Sequence, residues 1–204
     1  MKRRRGIALM TIGALLLTAS AALTTYNTVD DRRASKSATE ILQAVETMIP
    51  QTPSKEEIVI GQGSAEIVTP EMSEREINGH WYIGKLEFPS LGITLPVMSQ
   101  WSYPNLKIAP CRYSVSVYQG DFVLAAHNYS SHFGRLKELP VGAAVVFTDM
   151  NGQRFTYTVM QAETLSKTAV EDMQAGDWDL TLFTCTFSGE SRFTLRCELV
   201  DANN

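Results

Sequence analysis

Cys185 and Arg192, seven residues apart near the C-terminus, are the pair in this chain best suited to acyl chemistry. Cys185 ends the run Leu180-Thr181-Leu182-Phe183-Thr184, and Arg192 opens a run of strict alternation that continues to Leu199. A thiol beside a guanidinium sits in an electropositive setting that favours thiolate, the form that attacks a carbonyl carbon. Such a site needs a histidine within reach to move protons. The chain offers three, His80, His127 and His132, and His127 directly follows the apolar run Phe122 to Ala126.

Alternation decides which of these side chains can meet. In the last run Phe193, Leu195, Cys197 and Leu199 share one face, and Arg192, Thr194, Arg196 and Glu198 the other. In the cysteine run Leu180 and Leu182 face the core, so Thr181, Phe183 and Cys185 point out. Cys185 and Arg192 then share an outer face if the two strands pair across Thr186–Ser191. Arg196 is the rival to Arg192, but at a strand rise of roughly 3.3 Å per residue it stands about 13 Å farther from the Cys185 end. Plainer readings fit the same residues. Cys185 could be a strand cysteine under a loop, Arg192 a solvated charge and His127 a turn cap. Cys197, on the apolar side, reads as a small buried hydrophobe. Three cysteines are too few for a disulfide framework, with a Cys111–Cys197 pair left open. His80 sits at a tether boundary, and His132 in the polar loop Ser130-Ser131-His132-Phe133, expected to be mobile. The histidines and cysteines lack paired ligand spacing such as Cys-x-x-Cys, so neither metal nor cofactor is expected.

The elements that would hold these residues are short and strand-like. Runs at 82–88, 93–98, 122–126, 143–147, 154–159, 180–185 and 192–199 are separated by turn signals, with one or two helical turns at 169–175. Pro96 places its strand at an edge or a bulge. Asn151-Gly152 is suited to a tight hairpin with positive φ angles. The pattern predicts an all-β domain, barrel or sandwich, over residues 79–204. Ahead of it, residues 24–78 comprise a juxtamembrane helix, Asp30 to Ile49, ended by Pro50, and a Pro/Gly/Ser/Gln-rich linker. That helix could be a stalk or could pack on the body.

Residues 1–5 form a basic tail, Lys2 to Arg5, and Gly6 to Leu23 is an uncharged stretch of eighteen residues. As a helix it can just cross a hydrocarbon core of about 30 Å. The basic cluster favours the cytoplasmic side, which would place the rest outside the cell membrane. A cleaved signal peptide, with Ala19-Ser20-Ala21 as its cleavage site, is the competing reading; the length of the run favours a retained single-pass anchor. The 204 residues are 44% hydrophobic and 20% charged, a globular composition. Without the four basic residues of the tail, 14 Lys+Arg face 22 Asp+Glu, which argues against nucleic acid as a partner.

These motifs together resemble the sortases, membrane-anchored cysteine transpeptidases of mainly Gram-positive bacteria. Thr181-Leu182-Phe183-Thr184-Cys185 is similar to the family's T-L-x-T-C strand. Ala125-Ala126-His127-Asn128 resembles its histidine segment, Arg192-Phe193-Thr194-Leu195-Arg196 its arginine strand, and Phe133-Gly134-Arg135-Leu136 its F-x-x-L segment. The resemblance, over about residues 80 to 200, implies an eight-stranded β-barrel with a few short helices and its site in a surface groove. It implies Cys185 as nucleophile, His127 as general acid/base and Arg192 as the holder of substrate and oxyanion, with Thr184 and Asn128 beside them on the substrate. The partners it implies are exported proteins bearing a C-terminal L-P-x-T-G-like sorting signal, and an amine acceptor on a peptidoglycan precursor or a pilin-like protein. The Cys-to-Arg gap of seven is short for the family, and the second hydrophobic segment of the pilus-building class is missing from the C-terminus. The stretch from Val159 to Leu180 is short for class B, and the subclass, class B-like or class D-like, stays open.

Two other functions compete. An exported cysteine peptidase or amidase shares the nucleophile and base but lets water resolve the thioester. A membrane-tethered β-domain that only binds wall or protein ligands would not need Cys185. A cysteine L,D-transpeptidase would need a Gly-Cys-Arg run, where this chain has Thr184-Cys185-Thr186.

Overall fold

Gly84 is where the strands close on themselves. The computed structural model describes residues 2–51, 71–174, 176, 178–186 and 189–203. Its strands are β1 (Arg75–Ile77), β2 (His80–Phe88), β3 (Ile93–Met98), β4 (Cys111–Ser114), β5 (Phe122–Ala126), β6 (Ala144–Asp149), β7 (Arg154–Ser166), β8 (Leu180–Cys185) and β9 (Ser191–Asn203). Hydrogen bonding runs in the order β2-β3-β4-β5-β8-β9-β7-β6, and β6 returns to β2 through Gly84↔Asp149 to Glu87↔Val146. The result is a closed eight-stranded barrel, with β1 as a short hairpin partner of β2. At Gly84 (φ +151°) an added Cβ would lie 2.1 Å from the Thr148 carbonyl oxygen, so the seam closes only around a glycine.

The all-β expectation holds. β1 and β4 are too short to signal themselves in the sequence. β3 pairs along its length with β2 but meets β4 only at Met98↔Cys111, which is why Pro96 is tolerated there. The β6–β7 turn differs from the expected tight one. Only Gly152 takes a positive φ (+84°), and the Asp149 carboxylate accepts from the backbone N–H groups of Asn151 (2.9 Å) and Gln153 (2.8 Å). β7 and β9 run well past their expected ends, pairing from Arg154↔Asn203 to Ser166↔Ser191. Leu199, expected on the buried face, is exposed because β9 there has passed the start of β8 at Leu180↔Cys197.

The chain forms two units, Met1–Arg33 and Ala34–Asn204. One helix, α1 (Lys2–Met48), supplies the first unit from Lys2 onward and the start of the second. The two separate helices expected on either side of residues 24–29 are thus one. Thr24, Thr25 and Thr28 bond back to the carbonyls of Ser20, Ala21 and Thr24 and so do not interrupt it. Its N-terminal part is long and apolar enough to be a candidate membrane span, with Leu9, Ile12, Leu15, Leu16, Leu17 and Leu23 exposed. In the second unit Ala34, Ala38, Ile41 and Val45, spaced four, three and four apart, form a buried stripe. Lys85 of β2 bonds Glu46 at 3.1 Å. The helix end therefore packs on the body within the unit Ala34–Asn204. Residues 52–70 of the expected linker lie outside the described residues.

Two apolar layers hold the body together. The barrel interior gathers Leu86, Phe88, Phe122, Leu124, Phe147, Tyr157, Leu180, Leu182, Leu195 and Cys197. A second cluster takes the alternate residues Val123, Ala125 and Phe183 together with Cys111, Ile41 and Val45. The outer face of β5 and β8 is thus not solvated, as alternation alone suggested, but covered.

Candidate active site

Three neighbouring strands deliver the three predicted residues to one end of the barrel. β8 and β9 are antiparallel with Cys185 directly opposite Arg192, so both side chains stand on the same face. β5 and β8 are parallel with Ala126 opposite Thr184, and one further step along that register would set His127, the residue after β5, alongside Cys185. With strands about 4.8 Å apart, this is the spacing at which side chains of neighbouring strands touch. All three residues are half-buried. After Cys185, Thr186 N–H donates to Ser191 O (3.0 Å) and Gly189 N–H to Thr186 O (2.9 Å). Arg192 folds back here, its Nη1 donating to Gly189 O and Ser191 O, both at 3.2 Å. Among the described residues Nε and Nη2 make no hydrogen bond, which leaves them as donors for a ligand.

The other predicted residues go elsewhere or act differently. Thr184 alternates to the barrel interior, buried, with Oγ1 lacking a partner among the described residues. Its side chain is on the opposite face from Cys185, so only its backbone can reach the site. Asn128 does stay beside His127, its Oδ1 3.4 Å from Nδ1. His80 pairs with Ile77 between β1 and β2, strands apart from the site. His132 is not in a mobile loop. It is 1% exposed, and its ring packs edge-on to Tyr129 at 5.4 Å.

Arg196 is removed from contention by its own bonds. It is 3% exposed, opposite Thr181, and donates Nε to Glu163 Oε1 at 2.7 Å. Nη1 reaches Met173 O (2.8 Å) and Thr181 Oγ1 (3.0 Å), and Nη2 reaches Asp172 O. Two short helices follow α1 among the described residues, α2 (Tyr103–Leu106) and α3 (Val170–Gln174); Asp172 and Met173 belong to α3, so this guanidinium straps the β7–β8 connection onto the outer face of β8 and β9. Glu163 alone of these partners carries charge, and the sequence offered no sign of it.

The three cysteines are all free. Cys111 is in the outer cluster and Cys197 in the barrel interior, on opposite sides of the wall, which rules out the pair left open by the sequence. Burial pushes both thiols from 9.0 up to about 12, so neither is reactive. The half-buried Cys185 is the accessible one.

An aromatic path missed by the sequence leads away from Cys185 on the same face. Phe183 packs edge-on to Tyr113 (5.1 Å), Tyr113 to Trp101 (5.8 Å), and Trp101 against Tyr103 (5.2 Å). Tyr113 was missed because β4 is only four residues long. Among the described residues no cluster of His, Cys, Asp and Glu could hold a metal.

A closed β-barrel with an accessible cysteine between a histidine and an arginine has the parts of a cysteine acyltransferase. A model of the sortase domain matches residues 86–200, and the chain belongs to the sortase family, whose members are cysteine transpeptidases. Among solved structures, sortase C from Clostridium perfringens SM101 is similar at 25% identity, over 59% of this chain and 70% of that one, with a TM-score of 0.52. Sortase C1 from Streptococcus agalactiae is similar at 26% identity, over 59% and 68%, with a TM-score of 0.52. Listeria monocytogenes sortase A shares the fold at 24% identity, over 60% and 89%, with a TM-score of 0.54. No curated protein sequence matches the chain.

Proposed function

We propose that this sortase cleaves an L-P-x-T-G-like C-terminal sorting signal of exported proteins and passes the acyl group to an amine of the cell wall or of another protein. The observation that carries the reading is the register β5–β8–β9, with Cys185 opposite Arg192 and next in line to His127. The Cys185 thiolate adds to the scissile carbonyl carbon, and the C=O π electrons move onto oxygen. Arg192, whose Nε and Nη2 point to no protein acceptor among the described residues, donates to that oxyanion; fixed donors of this kind contribute about 3–4 kcal/mol. When the tetrahedral adduct collapses the C–N bond breaks, and protonated His127 gives its proton to the departing amine. A thioester on Cys185 remains. The incoming amine attacks it, His127 takes the amine's proton, and the C–S bond breaks to release the new amide and the thiolate.

The exposed end of the aromatic row, Trp101 and Tyr103, supports contact with an apolar part of the signal. The apolar stretch of α1 is the candidate membrane anchor, and the catalytic body works on the extracellular side. The test is a pentapeptide library given to the full chain in detergent, with and without amine acceptors, and mass spectrometry to trap the thioester. A thioester mapped to Cys185 and diverted by amine is the expected result. Hydrolysis that no amine diverts would make the protein a peptidase, and turnover by Cys185→Ala would end the assignment.

A further inference from the structure

His127 lacks the orienting partner that a general acid/base normally has. In triads a third group fixes the imidazole plane. Here the only hydrogen-bond contact of the ring among the described residues is Nδ1 to Asn128 Oδ1 at 3.4 Å, too long to hold a ring by itself. No carboxylate pairs with it among the described residues. What lies against it is the ring of Tyr129, nearly parallel (16°) with centroids 4.4 Å apart.

The chain that follows the two rings closes back on them as a tightly bonded turn. Tyr129 O accepts from the N–H groups of His132 (3.0 Å) and Gly134 (2.9 Å), while His127 O accepts from Phe133 N–H (3.2 Å). At Gly134 an added Cβ would lie 2.5 Å from Asn128 O and 2.7 Å from Tyr129 O, so only glycine allows this closeness. Phe133, fully buried and packed edge-on to Phe88 at 5.8 Å, pins the turn into the barrel core. The buried ring of His132 makes an edge contact with Tyr129 at 5.4 Å. Tyr129 thus contacts both His127 and His132 on a backbone that is itself anchored.

We propose that Tyr129 is the positioning residue of His127, holding the imidazole plane by a ring stack in place of the usual carboxylate, with His132 in edge contact with it. The catalytic part of this inference rests on the assignment of His127 above. A stack suits a group that must donate one proton and accept another. The π face of the tyrosine attracts an imidazolium and still packs against the neutral ring, so the plane is kept in both states.

Two measurements on the full chain in detergent test it. In protein labelled at histidine, the ring protons of His127, assigned through His127→Gln, should resonate upfield of free imidazole because they lie over the tyrosine ring. Tyr129→Leu should move them back downfield, and Tyr129→Phe should not. In the transfer assay, Tyr129→Leu should lower kcat about tenfold to hundredfold, the scale of a misplaced catalytic group, with KM within about twofold. Tyr129→Phe should restore kcat. Unshifted His127 protons in the wild-type chain would overturn the stack, whatever the variants do and whether or not a substrate has been found. Full kcat in Tyr129→Leu, or a loss confined to KM, would overturn the positioning role. A shifted resonance in a chain whose Cys185 forms no thioester would instead point to failure of the proposed function.

Discussion

Two arginines four residues apart on β9 should give opposite phenotypes. Replacing Arg196 with Met keeps the aliphatic stem and removes a guanidinium that makes four hydrogen bonds, one to a carboxylate. Breaking a buried pair from one side costs about 3–5 kcal/mol. The lower end applies here, because Glu163 is partly exposed and can recover water, whereas Thr181, at 2% exposure, cannot. A loss of about 3 kcal/mol is a large part of the 5–15 kcal/mol that typically holds a domain together. For a body of this size it corresponds to a Tm lowered by about 6–12 °C. Arg192→Met removes two bonds to carbonyls of a partly exposed turn, and water can replace both. It should cost less than about 1 kcal/mol in stability. Its effect belongs in turnover, a loss of about 10²–10³ in kcat if it is the main oxyanion donor.

Near-UV circular dichroism melts and peptide-transfer kinetics on the two variants, with wild type alongside, make the comparison. Below its own Tm, Arg196→Met should keep kcat within a few fold, with any weakening seen in KM as α3 loosens. Arg196→Met melting with the wild type while losing kcat would refute the assignment, because it would make the buried arginine the catalytic one. Arg192→Met that unfolds early with normal turnover would refute it equally.

His127→Ala should lower kcat/KM by about 10²–10⁴ while peptide binding, measured by fluorescence, changes little. At pH 8 the native chain should take up one equivalent of a thiol reagent, at Cys185, and three after unfolding. Cys111 and Cys197 bring a pH dependence of stability. Their folded values, about 12, exceed the unfolded 9.0, so the native state holds protons that the unfolded state has lost between these limits. Stability should therefore be intact below pH 9 and fall as pH rises from 9 toward 12, and Cys197→Ala should flatten the slope; a midpoint of urea unfolding that is flat over this range would contradict the burial of both thiols. Val45→Ala, at a fully buried position of α1, should cost about 2 kcal/mol by urea unfolding, against nothing measurable for the exposed Thr47→Ala.

How much of this was legible in the sequence depends on the range over which each signal acts. Alternation is local, and it put Cys185 and Arg192 each on the outer face of its own strand, so that they share a face if the two strands pair; the β8–β9 register supplies that pairing. The position of His127 at the end of an apolar run was equally visible, because a strand end is marked by its neighbours in sequence. Thr184 was misjudged by adjacency. The residue next to a nucleophile on a strand points the other way, and its buried hydroxyl faces the interior. His132 was misjudged by composition. Ser130-Ser131 reads as a solvated loop, yet the turn is closed by bonds to the carbonyls of His127 and Tyr129 that no composition encodes.

The arginines mark the limit most sharply. Arg192 and Arg196 are identical to any rule of periodicity, both polar-face residues on one strand. Register separates them, Arg192 opposite Cys185 and Arg196 opposite Thr181, and so does the cover laid over the outer face from elsewhere in the chain: α3 from the β7–β8 connection and Glu163 from β7. Arg196 lies under that cover and is consumed by it, while Arg192 lies just beyond its edge, where β9 leaves the turn Thr186–Ser191. A charged side chain on an outer strand face is therefore free for chemistry only where the second layer stops. In this barrel, register and cover act together: Arg192 faces Cys185 beyond the edge of the second layer, while α3, five residues long, holds Arg196 four residues away in a structural role.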